Sequence, residues 1–289
     1  MTAKLLVTGA PGNVGSEVVA ALTGKVPLRI GAYHLDTARQ TLGEDHEYTR
    51  FDFVDPQTYG PAFTGIEKIF LIRPPALANV KRDIAPALYA AKQAGVKQIV
   101  FLSIQGVDKN RVVPHYKIEQ LIITLGIPYT FLRASFFMQN LSTTHQAEIR
   151  DRNEIALPVG SARTSFIDVR DIAAVAAQAL LRNNDQNTTY TLTGSETLDY
   201  YQVADQLSAV LGRRIQYTNP PLLKFVRQQL AEGRKLSMTL VMAALYTLTR
   251  FGNAQEATSD VQNILGRPPI LFRQFLQDYR SCWFPPQAS

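Results

Sequence analysis

The sequence KLLVTGAPGNVG at residues 4–15 joins a short apolar segment to three glycines, Gly9, Gly12 and Gly15. The first glycine permits a tight turn, the second lets the backbone approach a pyrophosphate, and the third lets the next helix pack against the strand. The helix N-terminus adds N–H groups and a positive dipole end. This context predicts a dinucleotide-binding loop rather than an ordinary turn. We expect three further residues beside the phosphates: Pro11, Asn13 and Val14.

Strand and helix patterns alternate through the first half of the chain. Apolar or alternating segments predict further strands at 28–32, 47–53, 68–72, 98–103 and 128–133. Helical periodicity predicts helices at 36–42, 80–94 and 114–125, with Asp36 as the N-cap of the first. Such alternation indicates right-handed βαβ units. We therefore predict an α/β fold with a doubly wound parallel sheet and a ligand crevice at the carboxyl ends of its strands.

The second half of the chain has a looser pattern. Short strands are predicted at 164–167, 189–193 and 215–218. Helices are predicted at 168–181, 198–211, 222–232, 235–251, 257–265 and 271–282, with Asp168 and Asp171 as candidate caps of the first. We predict a single unit over 1–289. Within it, residues 1–135 form the dinucleotide-binding core, and 136–289 form mainly a smaller C-terminal α/β lobe for a substrate or partner, with some elements returning to the core.

Composition narrows the class of protein. The net charge of +6 is spread along the chain without a run of five Lys or Arg, which disfavours a nucleic-acid partner. A single cysteine, Cys282, excludes a disulfide framework and favours a reducing, cytoplasmic compartment. The apolar stretch at 236–248 is shorter than the ~20 residues that a membrane span requires, so we predict a buried helix there and no membrane span.

Four segments combine into a specific set of motifs: VTGAPGNVG at 7–15, FLSIQGV at 101–107, TFLRASFFMQN at 130–140 and SFIDVRDIA at 165–173. A later GRPP at 266–269 is followed by Phe272 and Phe275. With these motifs, nearly the whole chain resembles the NmrA-like group of atypical short-chain dehydrogenases/reductases. The resemblance implies an NAD(P)-binding Rossmann sheet. It also implies one of two roles, NAD(P)H-dependent reduction of quinones, dyes or related molecules, or redox sensing and regulation without turnover.

The end of the second predicted strand distinguishes NAD from NADP. An acidic residue there binds the ribose 2′-hydroxyl, whereas a basic residue accepts the 2′-phosphate. By the resemblance, Tyr33 stands where NADP-binding relatives often carry arginine, and Thr37 stands where they often carry lysine. His34 and Arg39 supply positive character, although His34 is equally well interpreted as a solvated loop residue. These residues favour NADP(H) slightly over NAD(H).

Two further strand ends carry candidate cofactor contacts. By the resemblance, Asp52 and Phe53 flank the adenine, the carboxylate accepting from the amine and the ring packing on the base. Asp52 is alternatively a turn residue. Ile72, Arg73 and Pro74 lie at the end of the fourth predicted strand, where the extended backbone passes the ribose and diphosphate. Arg73 is either a phosphate contact or a surface residue.

The usual catalytic pair of related dehydrogenases is missing. Ser103 ends the fifth predicted strand and is a candidate for polarising a carbonyl and for contacting the cofactor. Tyr116 is followed four positions later by Gln120, and the adjacent Lys117 diverges from it by about 100° on a helix. Standard ketone chemistry is therefore disfavoured, whereas hydride transfer to a quinone-like acceptor is not. His115 is a candidate proton donor or helix cap, and Lys117 a candidate ribose contact or solvated lysine, so the catalytic residues stay open.

An aromatic cluster follows the sixth predicted strand, where the nicotinamide is expected. Phe136, Phe137 and Asn140 are candidates for a substrate wall with one polar anchor, and Phe166 and Tyr246 are further candidates. Ordinary packing is the alternative for some of them. The sequence thus predicts a reductase that passes a hydride from NAD(P)H to a small flat acceptor such as a quinone, without a metal. The alternative is a non-catalytic sensor that acts through protein partners. The oligomeric state is not predicted.

Overall fold

The computed structural model describes residues 4–182, 186–252 and 255–285. The chain divides into two compact units. The first contains the described residues of Met1–Ala134 and Val169–Leu192, and the second those of Ser135–Asp168 and Thr193–Ser289. The chain therefore leaves the first unit after Ala134, returns to it at Val169 and leaves it again after Leu192.

Two sheets organise the described residues. The strands are β1 Leu5–Thr8, β2 Leu28–Ala32, β3 Glu47–Arg50, β4 Lys68–Leu71, β5 Gln98–Ile104, β6 Tyr129–Ala134, β7 Glu154–Ile155, β8 Thr188–Leu192 and β9 Gln216–Tyr217. Seven of them form one sheet in the order β3-β2-β1-β4-β5-β6-β8, and each adjacent pair is parallel. The order reverses between β1 and β4, which is where a doubly wound sheet binds its ligand. The predicted fold class is confirmed.

Helices connect and cover these strands. Their bounds are α1 Asn13–Leu22, α2 Leu35–Leu42, α3 Tyr59–Phe63, α4 Val80–Asp83, α5 Ala85–Gln93, α6 Pro114–Thr124, α7 Val169–Leu181, α8 Tyr200–Leu211, α9 Leu222–Ala231, α10 Leu236–Arg250, α11 Asp260–Leu265 and α12 Phe272–Asp278. Every residue of β1 and β2 is buried, as expected for parallel strands covered on both faces. Helix α1 buries Val14, Val18 and Leu22 and packs against α7.

Local departures from the predicted elements have physical causes. The helix predicted at 80–94 is divided into α4 and α5, because Pro86 lacks an N–H and its ring crowds the carbonyl of Arg82. The predicted N-cap Asp36 is wrong, since α2 begins at Leu35 and His34 occupies the N-cap. Asp36 instead lies in the first turn, where its charge still favours the helix dipole. The strand predicted at 164–167 is also wrong, because that segment makes only isolated bridges.

The second unit has its own core around Phe225, Phe275 and Trp283. Its two-stranded sheet pairs β7 with β9 in parallel. Helix α8 begins with a capping box, in which Asp199 accepts from the Gln202 backbone and the Gln202 side chain accepts from the Asp199 backbone.

Helix α10 differs from the fully buried helix predicted at 236–248. Its inner face buries Thr239, Ala243, Tyr246 and Thr249. Its outer face carries exposed apolar side chains: Leu236, Leu240, Val241, Leu245 and Leu248. The helix is therefore buried on one side alone. Among the residues that the structure describes, α10 and the other helices are all too short or too polar to cross a bilayer.

Candidate functional site

The glycine loop closes tightly on itself. Gly9 has a φ of +64°, and the Gly12 N–H donates to the Gly9 carbonyl at 3.0 Å. A Cβ placed on Gly15 would lie 2.4 Å from that carbonyl oxygen, and one placed on Gly12 would lie 3.2 Å from it. Gly15 therefore tolerates no side chain, because backbone atoms already fill the space.

The N-terminus of α1 suits an anionic group. Gly12 is its N-cap, and within the described part of the chain no side chain caps this helix end. The first turn contains no acidic residue, so its positive dipole end is not neutralised locally. Pro11, Gly12 and Asn13 are exposed, whereas Val14 and Gly15 are buried. The loop from Gly9 to Gly15 and this exposed helix end together form a glycine cradle that fits a dinucleotide diphosphate.

Hydrogen bonds hold the end of β4 beside the glycine loop. The Thr8 hydroxyl donates to the Phe70 carbonyl at 3.1 Å and accepts from the Ile72 N–H at 2.9 Å. The Ile72 side chain lies against Gly9, 3.1 Å from the position that a Cβ on this glycine would occupy. These contacts bring Ile72 to the loop, and its predicted contact with the cofactor stays a prediction.

Arg73 folds the segment that follows β4. Its Nη1 donates to the carbonyls of Pro74, Pro75 and Leu77 at 2.9–3.0 Å. Burial lowers the pKa of the guanidinium. Among the described residues its buried Nε has no hydrogen-bond partner. Arg73 is a partly buried loop organiser rather than a solvated surface residue.

The end of β2 presents two aromatic rings to solvent. Tyr33 is 56 % exposed, and its ring meets the ring of His34 edge-on at 4.5 Å. Arg39 contacts neither of these rings in the described structure. Its guanidinium pairs with Glu44 at 2.8 Å and lies over the ring of Tyr48.

The side chain of Arg50, the last residue of β3, also lies at the end of β2, beside Tyr33. Arg50 lies opposite Ala32 in the parallel register, and its guanidinium carbon is 5.7 Å from the centre of the Tyr33 ring. Sequence reasoning missed Arg50, because the third strand was predicted to run to residue 53, which put this arginine inside the strand rather than at its end.

Asp52 and Phe53 occupy the turn after β3. The Asp52 carboxylate accepts from the Val54 N–H at 3.0 Å, so it organises the turn, which is the alternative that the sequence allowed. Phe53 is 4 % exposed and packs against Phe51 in the core of the first unit. The Tyr59 hydroxyl donates to the Phe53 carbonyl at 2.6 Å. Adenine contacts by these two residues stay a prediction.

Ser103 belongs to a buried charge network. Its hydroxyl donates to the Glu119 carboxylate at 2.6 Å, and Arg133 donates to both oxygens of the same carboxylate at 3.1 and 2.7 Å. Ser103 and Glu119 are each 1 % exposed. Hydrogen bonding to Glu119 raises the pKa of Arg133. Sequence reasoning missed Glu119 and Arg133, although a glutamate between Ile118 and Ile122 on the buried face of α6 was a usable signal.

The remaining catalytic candidates lie at the start of α6. Val113 is the N-cap of this helix, so the capping role considered for His115 is wrong. The His115 ring instead stacks on Phe101 with 5.9 Å between ring centres. Burial, aided by the nearby charge of Arg73, lowers the pKa of His115 to about 3. An imidazole with so low a pKa is uncharged at neutral pH and is both a poor proton donor and a poor proton acceptor. Tyr116 is partly exposed and Lys117 exposed.

The candidate substrate residues differ in accessibility. Phe136, Phe137 and Asn140 are partly exposed in the second unit. Phe136 stacks on Tyr246 with ring centres 6.4 Å apart. Phe166 is 3 % exposed and packs against Tyr200 and Phe272. Its place in the core leaves Phe136 and Phe137 as the more accessible aromatic candidates.

A second buried network lies behind Phe136. The Tyr246 hydroxyl and His145 Nε2 are 2.9 Å apart, and His145 Nδ1 is 3.5 Å from the Glu148 carboxylate. Burial raises the pKa of Tyr246. Despite its burial, Glu148 has a lowered pKa because His145 and Arg152 stabilise its charge. His145 was not identified from the sequence, since its partner Tyr246 lies 101 residues away.

No group of His, Cys, Asp and Glu suited to a metal ion occurs within residues 4–182, 186–252 and 255–285. The chemistry-bearing features of the first unit are therefore the glycine cradle, the strand ends beside it and the network around Glu119. Together with the sheet order, they place the chain in the doubly wound α/β class, in which the crevice beside such a glycine loop suits a nucleotide.

The chain belongs to the NmrA-like family, which matches residues 1–265. The NAD(P)H azoreductase of Xenophilus azovorans is 32 % identical over 284 residues, which cover 96 % of this chain and 99 % of that protein. The predicted family is thereby confirmed.

Two solved structures share the fold. The triphenylmethane reductase of Citrobacter sp. complexed with NADP(H) aligns with a TM-score of 0.85 at 23 % identity, over 95 % of this chain and 99 % of that one. The quinone oxidoreductase QOR2 of Escherichia coli complexed with NADPH aligns with a TM-score of 0.85 at 21 % identity, over the same shares. At this level of identity the two likenesses establish the fold.

Proposed function

We propose that this protein is an NAD(P)H-dependent reductase that transfers a hydride to a small, flat, unsaturated acceptor such as a quinone. The observation that carries the proposal is the glycine cradle, because Gly15 has no room for a side chain and the uncapped α1 terminus suits a diphosphate. The relatives support the reaction class, since an azoreductase, a triphenylmethane reductase and a quinone oxidoreductase are named for the reduction of conjugated molecules.

The protein's own residues hold the cofactor in this proposal. The loop from Gly9 to Gly15 binds the diphosphate, Ile72 and the segment folded by Arg73 border it, and Tyr33 and His34 border the adenosine ribose. A bound dihydronicotinamide supplies the hydride. NADP(H) is favoured slightly over NAD(H), because the guanidinium of Arg50 lies 5.7 Å from the ring centre of Tyr33, beside the exposed end of β2.

The acceptor requires little acid–base help from this chain. Ser103 donates its hydroxyl proton to Glu119 and is almost fully buried, so it is poorly placed to polarise a carbonyl. Phe136 and Phe137 offer partly exposed aromatic surface to a flat molecule, and Asn140 offers a polar group. A quinone suits such a site because positioning and electrostatics suffice for hydride transfer to it.

The test combines binding with turnover. Calorimetric titration with NADPH and NADH is paired with acceptor-dependent oxidation of the same cofactors by quinones and azo dyes. We expect saturable binding and consumption of cofactor with at least one acceptor. A protein that binds cofactor but oxidises none across the panel would instead be a sensor, a role that the named relatives do not support.

A further inference from the structure

We infer that Arg50 and Tyr33 together bind the 2′-phosphate of NADP(H), so that the cation that recognises this cofactor comes from the third strand rather than the second. The inference rests on the proposed function, because it names the residues that select the cofactor of the same site. It supplies a cation for the phosphorylated cofactor in a chain that has no basic residue at position 33.

The register of the sheet places Arg50 beside the carboxyl end of β2. The adenosine ribose of a bound dinucleotide is recognised just beyond the carboxyl end of the second strand. Strands β2 and β3 are parallel neighbours, and Ala32 pairs with Arg50. The side chain of Arg50 therefore starts beside the segment that begins with Tyr33, at the same edge of the sheet.

The side chain of Arg50 is exposed to solvent and lies over the ring of Tyr33. It is 57 % exposed, and its guanidinium carbon lies 5.7 Å from the centre of the Tyr33 ring. A cation at this distance from an aromatic face is held by the electrons of the ring. Its ion pair with Asp55 is long, at 3.8 Å, and therefore weak at this exposed position. The planar guanidinium is suited to two parallel hydrogen bonds with a phosphate.

Other charged groups near this edge do not replace Arg50. Arg39, the sequence-based candidate, is held by Glu44 at 2.8 Å and by the ring of Tyr48. Asp36 lies in the first turn of α2 and is exposed. The carboxylates of Asp36 and Asp55 are expected to moderate the preference for NADPH, so that NADH still binds.

The experiment measures binding of four ligands to the intact protein by calorimetry: NADPH, NADH, adenosine 2′,5′-bisphosphate and adenosine 5′-monophosphate. Arg50→Gln is compared with the matched control Arg39→Gln, which removes a cation from the same edge. Removing a charge-assisted hydrogen bond to phosphate predicts a loss of NADPH affinity of about 10–100-fold in Arg50→Gln. The same loss is expected for the bisphosphate, with NADH and the monophosphate unchanged. Thermal melting confirms that each variant is folded.

Several outcomes would overturn the inference. Unchanged NADPH affinity in Arg50→Gln, equal losses for NADPH and NADH, or an NADPH-specific loss in Arg39→Gln would each exclude the assignment. Arg50→Lys separates charge from geometry, and it is expected to restore part of the affinity for the 2′-phosphate ligands but not all of it. Failure of the wild-type protein to bind either dinucleotide would instead contradict the proposed function, so the two failures are distinguishable.

Discussion

The hydroxyl of Ser103 lies 2.6 Å from the carboxylate of Glu119 and donates its proton to it. This contact places the serine of the fifth strand in a buried structural network, because Arg133 completes the charge balance of Glu119. The position that polarises a carbonyl in related dehydrogenases therefore joins α6 to the sheet in this protein.

Substitutions in this network are expected to lower the stability of the protein. Ser103→Ala deletes one hydrogen bond to a buried carboxylate and is expected to lower the free energy of unfolding by about 2 kcal/mol. Glu119→Gln breaks a buried ion pair and is expected to cost about 3 kcal/mol. Denaturant unfolding measures both values.

The kinetic prediction for Ser103→Ala follows from the same contact. At saturating acceptor, kcat is expected to fall by much less than the about 100-fold that accompanies loss of a general acid. A larger loss of kcat in a stably folded Ser103→Ala protein would show that the serine contacts the acceptor.

The glycine cradle yields a steric prediction. In Gly15→Ala the new methyl group would lie 2.4 Å from the Gly9 carbonyl oxygen, so the loop must open and the diphosphate site is lost. Gly60→Ala is the matched control, since a Cβ on this helical glycine meets no atom within 4 Å. Calorimetry is expected to show NADPH binding to Gly60→Ala and none to Gly15→Ala. Wild-type affinity in Gly15→Ala would place the nucleotide elsewhere.

His115 predicts a pH-dependent contribution to stability. Its pKa falls from 6.5 to about 3 on folding, so between these values the unfolded state binds more protons. The contribution is complete above pH 6.5 and is lost as the pH falls towards 3. His115→Phe keeps an aromatic ring on Phe101 and is expected to flatten the stability profile in this window.

The control for His115 is an exposed histidine. His34→Gln, measured in the same urea titrations across pH, is expected to leave the profile of the wild-type protein unchanged. An equally steep profile in His115→Phe would mean that other groups carry the pH dependence.

The network behind Phe136 predicts a loss of stability in Tyr246→Phe. The substitution keeps the ring but removes the 2.9 Å contact with buried His145, leaving a polar nitrogen without its partner. The expected cost is about 1–3 kcal/mol, measured as a lower midpoint in urea. Tyr201→Phe, at a half-exposed hydroxyl in the same unit, is a control that is expected to change little.

Local sequence rules predicted most of the first unit. The glycine loop, β2 at Leu28–Ala32 and α6 from Pro114 agree with their sequence patterns, because neighbouring residues determine these elements. The break between α4 and α5 was also visible locally, since Pro86 cannot continue a helix. We nevertheless predicted one helix over 80–94, because the apolar residues keep a helical period across the break.

Contacts between distant residues were beyond such rules. The approach of Arg50 to Tyr33 depends on the register between β2 and β3. The pairing of Glu119 with Arg133 depends on how α6 packs on β6, and that of His145 with Tyr246 joins residues 101 positions apart. Each of these contacts forms only when the chain is folded. The residue types alone therefore could not show which side chains would be partners.

The most direct test of the account is acceptor-dependent oxidation of NADPH by the wild-type protein, Gly60→Ala and Gly15→Ala, measured with a soluble quinone and an azo dye. The account predicts saturable consumption of NADPH by the first two proteins and none by Gly15→Ala. The absence of consumption by a folded wild-type protein that binds NADPH, or undiminished consumption by Gly15→Ala, would contradict it.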